Sequence, residues 1–443
     1  MTEPGPAASV STPGLSRRMG TGDAIVIGLG SMIGAGVFVA FGPAARAAGS
    51  GLLIGLAIAA VIAYCNAVAS AQLAAVYPVS GGTYVYGRER LGAWWGFTAG
   101  WAFVIGKTAS CAVMALTFAY AVPGPLWLQR VIALAAVIVV AALNYLGVSR
   151  TAAATRILVG FTLTALTVFV VAVLTSASVD LSHLDRWSAS DGHGVYLILQ
   201  SAGLLFFAFA GYARIATMGE EVKDPATTIP RAIPRALFIA VTVYAVVGMA
   251  ALLVAGPDLL AGSTSPLATA AGTAGRSAIE PIIRAGAALA SLGSLLALMA
   301  GIGRTGLAMA RNADLPHWLG SIHPRFHVPH HAEVALAVIV GILVLTTDLR
   351  GAVGFSSFGV LIYYALANAS AYTQPQADRR WPRAQNVLGV AGCLVLAVTL
   401  PPTAACAGAA VLAVGLLGRL LITHLRSGRG HEVVRQGRGG PTG

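Results

Sequence analysis

The chain has 443 residues, is 57% hydrophobic and only 10% charged, and has a mean hydropathy of +0.78, whereas soluble domains carry about 25% charged residues. A soluble chain of this length could not hide so much apolar surface in one core, which excludes a soluble enzyme or binding module. The formal net charge of +12 invites a nucleic-acid partner, but the basic residues sit in loops between apolar stretches, where they orient a membrane protein instead.

Apolar stretches of ~20 residues recur along the chain, each long enough to cross ~30 Å of hydrocarbon. They are continuously apolar rather than alternating, which favours helices over a barrel. The expected fold is an all-α membrane protein of about twelve transmembrane helices. In chain order the first six predicted spans are Asp23–Arg46, Gly51–Tyr77, Gly92–Val122, Leu126–Leu146, Arg156–Thr175 and Val195–Gly219. The second six are Pro234–Ala255, Pro281–Arg311, Ala332–Thr347, Ala352–Tyr372, Ala384–Leu400 and Thr403–Thr423.

No apolar signal segment precedes the first span, and residues 1–19 read as a disordered, polar N-terminus. One transporter domain fills 20–423, and 424–443 form a floppy basic tail. Loops bearing Arg88, Arg90, Arg150, Lys223, Arg231, Arg311, Arg325, Arg379 and Arg380 fall on one side with the tail. Arg46, Arg130, Arg186, Arg276, Arg284 and Arg350 fall on the other. The excess of positive charge on the first side places both termini in the cytoplasm and the chain in the cell membrane as a multi-pass protein. There the basic residues touch anionic lipid headgroups; nucleic acid is not an expected partner. Cys65, Cys111, Cys393 and Cys406 all lie in spans without metal-ligand spacing, so neither disulfide nor zinc is expected.

Two spans are interrupted. The first carries glycines at Gly28, Gly30, Gly34 and Gly36, and each glycine in a helix costs ~1 kcal/mol relative to alanine. Unwinding there frees backbone N–H groups that attract a carboxylate. The plainer alternative is that Gly30 and Gly34 only let two helices pack closely. The sixth span holds Phe206-Phe207-Ala208-Phe209-Ala210-Gly211-Tyr212, where freed carbonyls would accept hydrogen bonds from an ammonium and the rings would close over an apolar side chain. Alternatively, the three phenylalanines face lipid or core. The two interruptions occupy matching positions if ten spans form two halves of five, which points to an inverted-repeat transporter with its site at the breaks. One break suits –COO⁻ and the other –NH₃⁺, together the backbone of an amino acid.

Lys107 sits mid-way along the third span, where an ionisable side chain is costly and marks a functional site by default. It is a candidate for proton coupling; the structural alternative is a tie to backbone carbonyls. Arg214 and Arg304 read as structural, near span ends where they can snorkel or meet Glu220 and Glu221. No Asp or Glu falls well inside a span, Asp23, Glu220, Glu221 and Glu333 all lying at ends. A dicationic substrate would therefore be repelled, which disfavours arginine, lysine and polyamines. His317, His323, His327, His330 and His331 cluster in one loop, but Pro316, Pro324 and Pro329 break the helical spacing a metal site would use. There is no acid–base pair, nucleophile elbow or phosphate loop, so no enzyme activity, cofactor or metal is expected.

At four blocks the chain resembles the amino acid–polyamine–organocation (APC) superfamily of permeases. They are Gly30-Ser31-Met32-Ile33-Gly34-Ala35-Gly36-Val37-Phe38, and Tyr77-Pro78-Val79-Ser80-Gly81-Gly82-Thr83-Tyr84. The third runs from Phe209-Ala210-Gly211-Tyr212 into Gly219-Glu220-Glu221-Val222-Lys223-Asp224-Pro225, and the fourth is Ala308-Met309-Ala310-Arg311-Asn312-Ala313-Asp314-Leu315-Pro316. The resemblance implies a five-plus-five inverted-repeat fold with discontinuous helices 1 and 6, two extra helices and transport by alternating access. It implies that the substrate carboxylate meets the N–H groups of Ala35 and Gly36, with Ile33 and Gly34 adjacent. It also implies that the ammonium meets the carbonyls of Met32, Phe207 and Ala210, beside Gly211, with Phe207 as the gating aromatic. Proton-coupled relatives carry a lysine in the fifth span where this chain has Thr162, so Lys107 and Thr162 are both coupling candidates. The expected function is a secondary permease for neutral or zwitterionic amino acids, with the proton as candidate coupling ion. The rivals are a carrier or exchanger of another small amine or organic solute, and a membrane sensor.

Overall fold

The computed structural model describes residues 19–79, 81–147, 152–186, 194–217 and 222–436, with the side chains at 152, 213 and beyond 424 outside the description. The expectations for 1–18, Ser80, Arg150, Gly219, Glu220, Glu221 and 437–443 lie outside the described residues. Within them every regular element is a helix, and the sole extended pairing is an isolated bridge between Met19 and Val222.

The predicted first span is three helices, α1 (Thr21–Met32), α2 (Ala35–Val39) and α3 (Phe41–Ala48). Next come α4 (Leu52–Val76), a short α5 (Thr83–Leu91), and α6 (Ala93–Tyr120). The sequence reading has no counterpart for α5, whose polar stretch Arg88-Glu89-Arg90 hides its helical period. Then α7 (Leu126–Tyr145) and α8 (Ala152–Leu174) lead to the interrupted pair α9 (Gly194–Phe209) and α10 (Ala213–Ala216).

The following helix α11 (Pro225–Gly262) starts at Pro225 rather than Pro234 and bends at Gly256, whose φ is +69°. Proline at the first helical position has no donor to lose, and Pro230 and Pro234 are carried within the helix as packed membrane helices allow. A short α12 (Pro266–Thr273), also unforeseen, leads to α13 (Glu280–Arg311). Then follow α14 (His330–Thr346), α15 (Leu349–Tyr372), α16 (Arg383–Thr399) and α17 (Pro402–Gln436). The helical backbone of α17 continues past Thr423, where the tail was expected to begin, because straight-chain residues such as Leu and Arg favour continuing a helix.

Among the described residues nine helices are long and apolar enough to cross a membrane, and three shorter apolar ones are Gly194–Phe209, His330–Thr346 and Arg383–Thr399. Burial sorts them. The windows of α6 and α15 are 83% buried, against 6% for α17, so α6 and α15 form the centre and α17 the rim. Between those two, a Cβ on Gly359 would come within 2.7 Å of Gly106 Cα and of the Ala102 carbonyl oxygen. Small residues let backbones approach where lipid offers no hydrophobic driving force.

Polar side chains tie helices and loops together. Asn368 on α15 donates to Asn66 on α4 at 2.6 Å. Gln72, buried on α4, accepts from the backbone N–H of Arg380 at 2.9 Å and of Trp381 at 3.3 Å, clamping the loop between α15 and α16. Arginines at the far end bond carbonyls at helix ends, Arg130 to Leu345 at 2.7 Å and Arg284 to Tyr120 at 3.2 Å. Gln72→Ala leaves both loop N–H groups short of an acceptor and is expected to cost about 1–3 kcal/mol. The drop should appear in the thermal unfolding midpoint in detergent, and an unchanged midpoint would contradict the clamp.

Candidate functional site

The first break begins where Ile33 donates to the Leu29 carbonyl at 2.7 Å and then leaves the helix, with ψ +54°. Gly34 follows at φ −98°, ψ −140°, an extended geometry that no helix accommodates. Helical backbone resumes at Ala35, passes through Ala40 and runs on into α3. At the second break α9 stops at Phe209 and residues 210–212 form a turn before α10. Both interruptions fall where the glycine pattern places them.

The breaks are packed backbone to backbone. A Cβ on Gly211 would run into the carbonyl group of Ser31 and the amide nitrogen of Met32. One on Gly36 would stand 2.7 Å from Ala208 Cα. Glycine is required at both positions by this close approach.

Three other helices supply the donors that the freed carbonyls need. The Tyr244 hydroxyl on α11 lies 2.6 Å from the Met32 oxygen and 2.9 Å from that of Ala208; its single proton serves one at a time. The Ala210 carbonyl accepts from Lys107 Nζ on α6 at 3.1 Å and from the Tyr364 hydroxyl on α15 at 3.2 Å. Lys107 is buried, and in this conformation it bonds the carbonyl of the second break. The structural alternative weighed for this lysine is therefore part of its geometry.

A cavity of about 130 Å³ lies between the breaks. Met32, Gly36, Lys107, Phe207, Ala210 and Gly211 all line it. Ile33, Gly34 and Ala35 are buried beside it without lining it. Gly34 faces Ser294 on α13, a buried, cavity-lining hydroxyl with no hydrogen-bond partner among the described residues. Thr162 is buried on α8, bonds the Leu158 carbonyl at 2.8 Å and does not line the cavity. From the breaks the lining continues through Thr217, Gly81, Arg304 and Ala308 toward the end of the bundle that carries Met19.

Several features were not legible beforehand. Arg214 and Arg304, expected to be structural, both line the cavity, and among the described residues no Asp or Glu does so. Spacing alone could have placed Arg304 there, since Ala297, Gly301, Arg304, Thr305 and Ala308 share one helical face. Tyr244, Tyr364 and Ser294 went unnoticed; the available signal was a phenol or hydroxyl mid-span, where a polar tip needs a partner. Of the three phenylalanines only Phe207 lines the cavity. Phe206 packs edge-on against Tyr364 at 5.9 Å between ring centres, and Phe209 packs tilted against Tyr244 at 5.0 Å, so the core alternative holds for those two. His323 and His330 pack with their ring centres 5.3 Å apart, His330 and His331 at 4.1 Å, and Tyr145 closes the stack.

Interrupted helices around a cavity, inside a bundle of apolar helices, are the architecture of a membrane transporter. Residues 23–416 match the family model described as amino acid permease, and the chain belongs to that family, within the APC superfamily. An uncharacterized transporter of Mycobacterium tuberculosis is 57% identical over 404 residues, covering 91% of this chain and 90% of that protein. The branched-chain amino acid permease BcaP of Bacillus subtilis is 27% identical over 409 residues, 87% and 86% of the two chains. The chloroplastic cationic amino acid transporter 7 of Arabidopsis thaliana is 28% identical over 408 residues, 84% and 69%.

Gly211→Ala forces a methyl group into the Ser31–Met32 peptide and is expected to destabilise by about 1–3 kcal/mol. Gly301→Ala, with open space around its Cβ position, should leave the thermal midpoint unchanged or higher. Equal midpoints for the two variants would refute the close contact of the breaks.

Proposed function

We propose that this chain is an amino acid permease of the cell membrane that takes amino acids with a zwitterionic backbone and no side-chain cation. The observation that carries the reading is that the peptide groups of both breaks meet at one cavity, beside the unpartnered hydroxyl of Ser294. The N–H groups of Ala35 and Gly36, at the start of the resumed half-helix, suit the substrate carboxylate; Ile33 and Gly34 shape the approach. The carbonyls of Met32, Phe207 and Ala210, beside Gly211, suit the ammonium. Phe207 on the cavity wall serves as the aromatic gate.

In this reading the nine long and three shorter apolar helices make twelve spans, ten of them in a five-plus-five inverted repeat working by alternating access. The transporter domain is 20–423, and both flanking ends, 1–19 and 424–443, lie on the cytoplasmic side in keeping with the loop charges. The cavity then faces the cytoplasm. Lys107 competes with the substrate ammonium for the Ala210 carbonyl, so binding must move the lysine or its proton. That exchange is the proposed coupling to the proton gradient, and Thr162, remote from the cavity wall, is the weaker coupling candidate.

A thermal-shift screen of the purified protein against the common amino acids tests the reading. A ligand at 100 times its dissociation constant stabilises by about 2.7 kcal/mol. Amino acids should raise the midpoint and their decarboxylated amines should not. A screen in which amines work as well as their parent amino acids would sink the carboxylate assignment. Lys107→Met is expected to abolish accumulation driven by an imposed proton gradient in liposomes. Normal accumulation by that variant would remove the lysine from coupling.

A further inference from the structure

Beyond the breaks, the charged side chains on the cavity wall are of one sign among the described residues: Lys107, Arg214 and Arg304 line it, and no described carboxylate does. Lys107 bonds the Ala210 carbonyl, which satisfies a donor but leaves the charge uncancelled. Arg304 is exposed in the cavity and makes no hydrogen bond or ion pair among the described residues. The carboxylate whose field it shares is Glu333, on α14. Glu333 is buried against Gly303, on the adjacent face of α13, and is not on the cavity wall.

Cations walled in by low-dielectric protein focus a positive potential into the space between them. Arg304 is exposed, so an arriving carboxylate exchanges water on the guanidinium for charge-assisted hydrogen bonds. The breaks and Ser294 engage one carboxylate only, which leaves Arg304 unused.

The positions match a two-headed anion. Ser294 and Arg304 stand on the same helix, ~15 Å apart along its axis at 1.5 Å per residue. Helical side chains lean toward the N-terminus of their helix, a direction that for position 304 is toward Ser294.

Resting on the reading of this cavity as the amino acid site, we propose that the preferred substrate is an amino acid with a side-chain carboxylate, received by Arg304. A guanidinium holds a carboxylate by charge-assisted, commonly bidentate hydrogen bonds. An amide isostere offers the same shape without the charge, so glutamine and asparagine are the right comparators. The positive wall repels lysine and arginine.

The test is calorimetric titration of the full-length protein in detergent with L-glutamate, L-aspartate, L-glutamine, L-asparagine and L-leucine. The acidic members should bind at least about tenfold tighter than their amides, the factor that ~1.4 kcal/mol supplies. In Arg304→Gln that ratio should collapse toward one, and Arg304→Lys, which keeps the charge, should retain most of it. Acidic amino acids binding no better than their amides would overturn the proposal and leave the amino acid reading intact. A preference that survives Arg304→Gln would overturn the assignment to Arg304. Failure of every amino acid to bind would remove both readings together. Should Arg304→Gln not fold, the wild-type ratio and Arg304→Lys still decide.

Discussion

The Cα of Gly211 lies against the Ser31–Met32 peptide, and Gly36 stands in the same relation to Ala208. No side chain fits between the two interrupted helices at these points, so their unwound backbones are held at van der Waals distance. That approach brings the carbonyls of Met32, Ala208 and Ala210 close enough together for one shell of donors to serve them. The donors come from α11, α6 and α15, helices far apart in the chain. A cavity lined by peptide groups exists because those groups were first forced together and then tied.

Inside a bilayer every backbone polar group needs an internal partner, and this requirement explains much of the side-chain chemistry. Threonine and serine hydroxyls fold back onto carbonyls one turn earlier, as at Thr108, Thr117, Thr162 and Ser291. The Ser294 hydroxyl, three residues and less than one turn past Ser291, has no such bond among the described residues. The contrast between these neighbours separates a hydroxyl that solves a local problem from one held out toward the cavity.

The helical class, the positions of the long helices and both interruptions were readable because each rests on a local signal: an apolar run, or glycines clustered where helix is costly. Met32, Gly36, Phe207, Ala210, Gly211 and Lys107 reached a common cavity for the same reason. What could not be read was long-range. Tyr244 and Tyr364 look like any buried aromatic until the fold places their hydroxyls on the breaks. Arg304 sits close enough to its helix end that snorkelling was the simpler expectation, and only the burial of the opposite face of α13 turns it inward. The short helices α5 and α12 were missed because eight or nine residues give too few turns for a period to show.

At the Met19 end, the Asp314 carboxylate receives the Tyr84 hydroxyl at 2.8 Å and Arg88 at 3.2 Å on one oxygen, and Arg419 at 2.6 Å on the other. Arg419 is further held between the rings of Trp94 and Phe97, 5.1 and 4.7 Å from their centres. Three elements, α5, α6 and α17, thus grip the segment just past α13, while the opposite half of the helix is tied by Arg284 to the Tyr120 carbonyl and by Asn144 to the Leu296 carbonyl. Ser294 lies ~25 Å along the axis from the end of α13 at 1.5 Å per residue, so a tilt of about 5° about that end would carry its hydroxyl roughly 2 Å, enough to make or break a hydrogen bond at the first break.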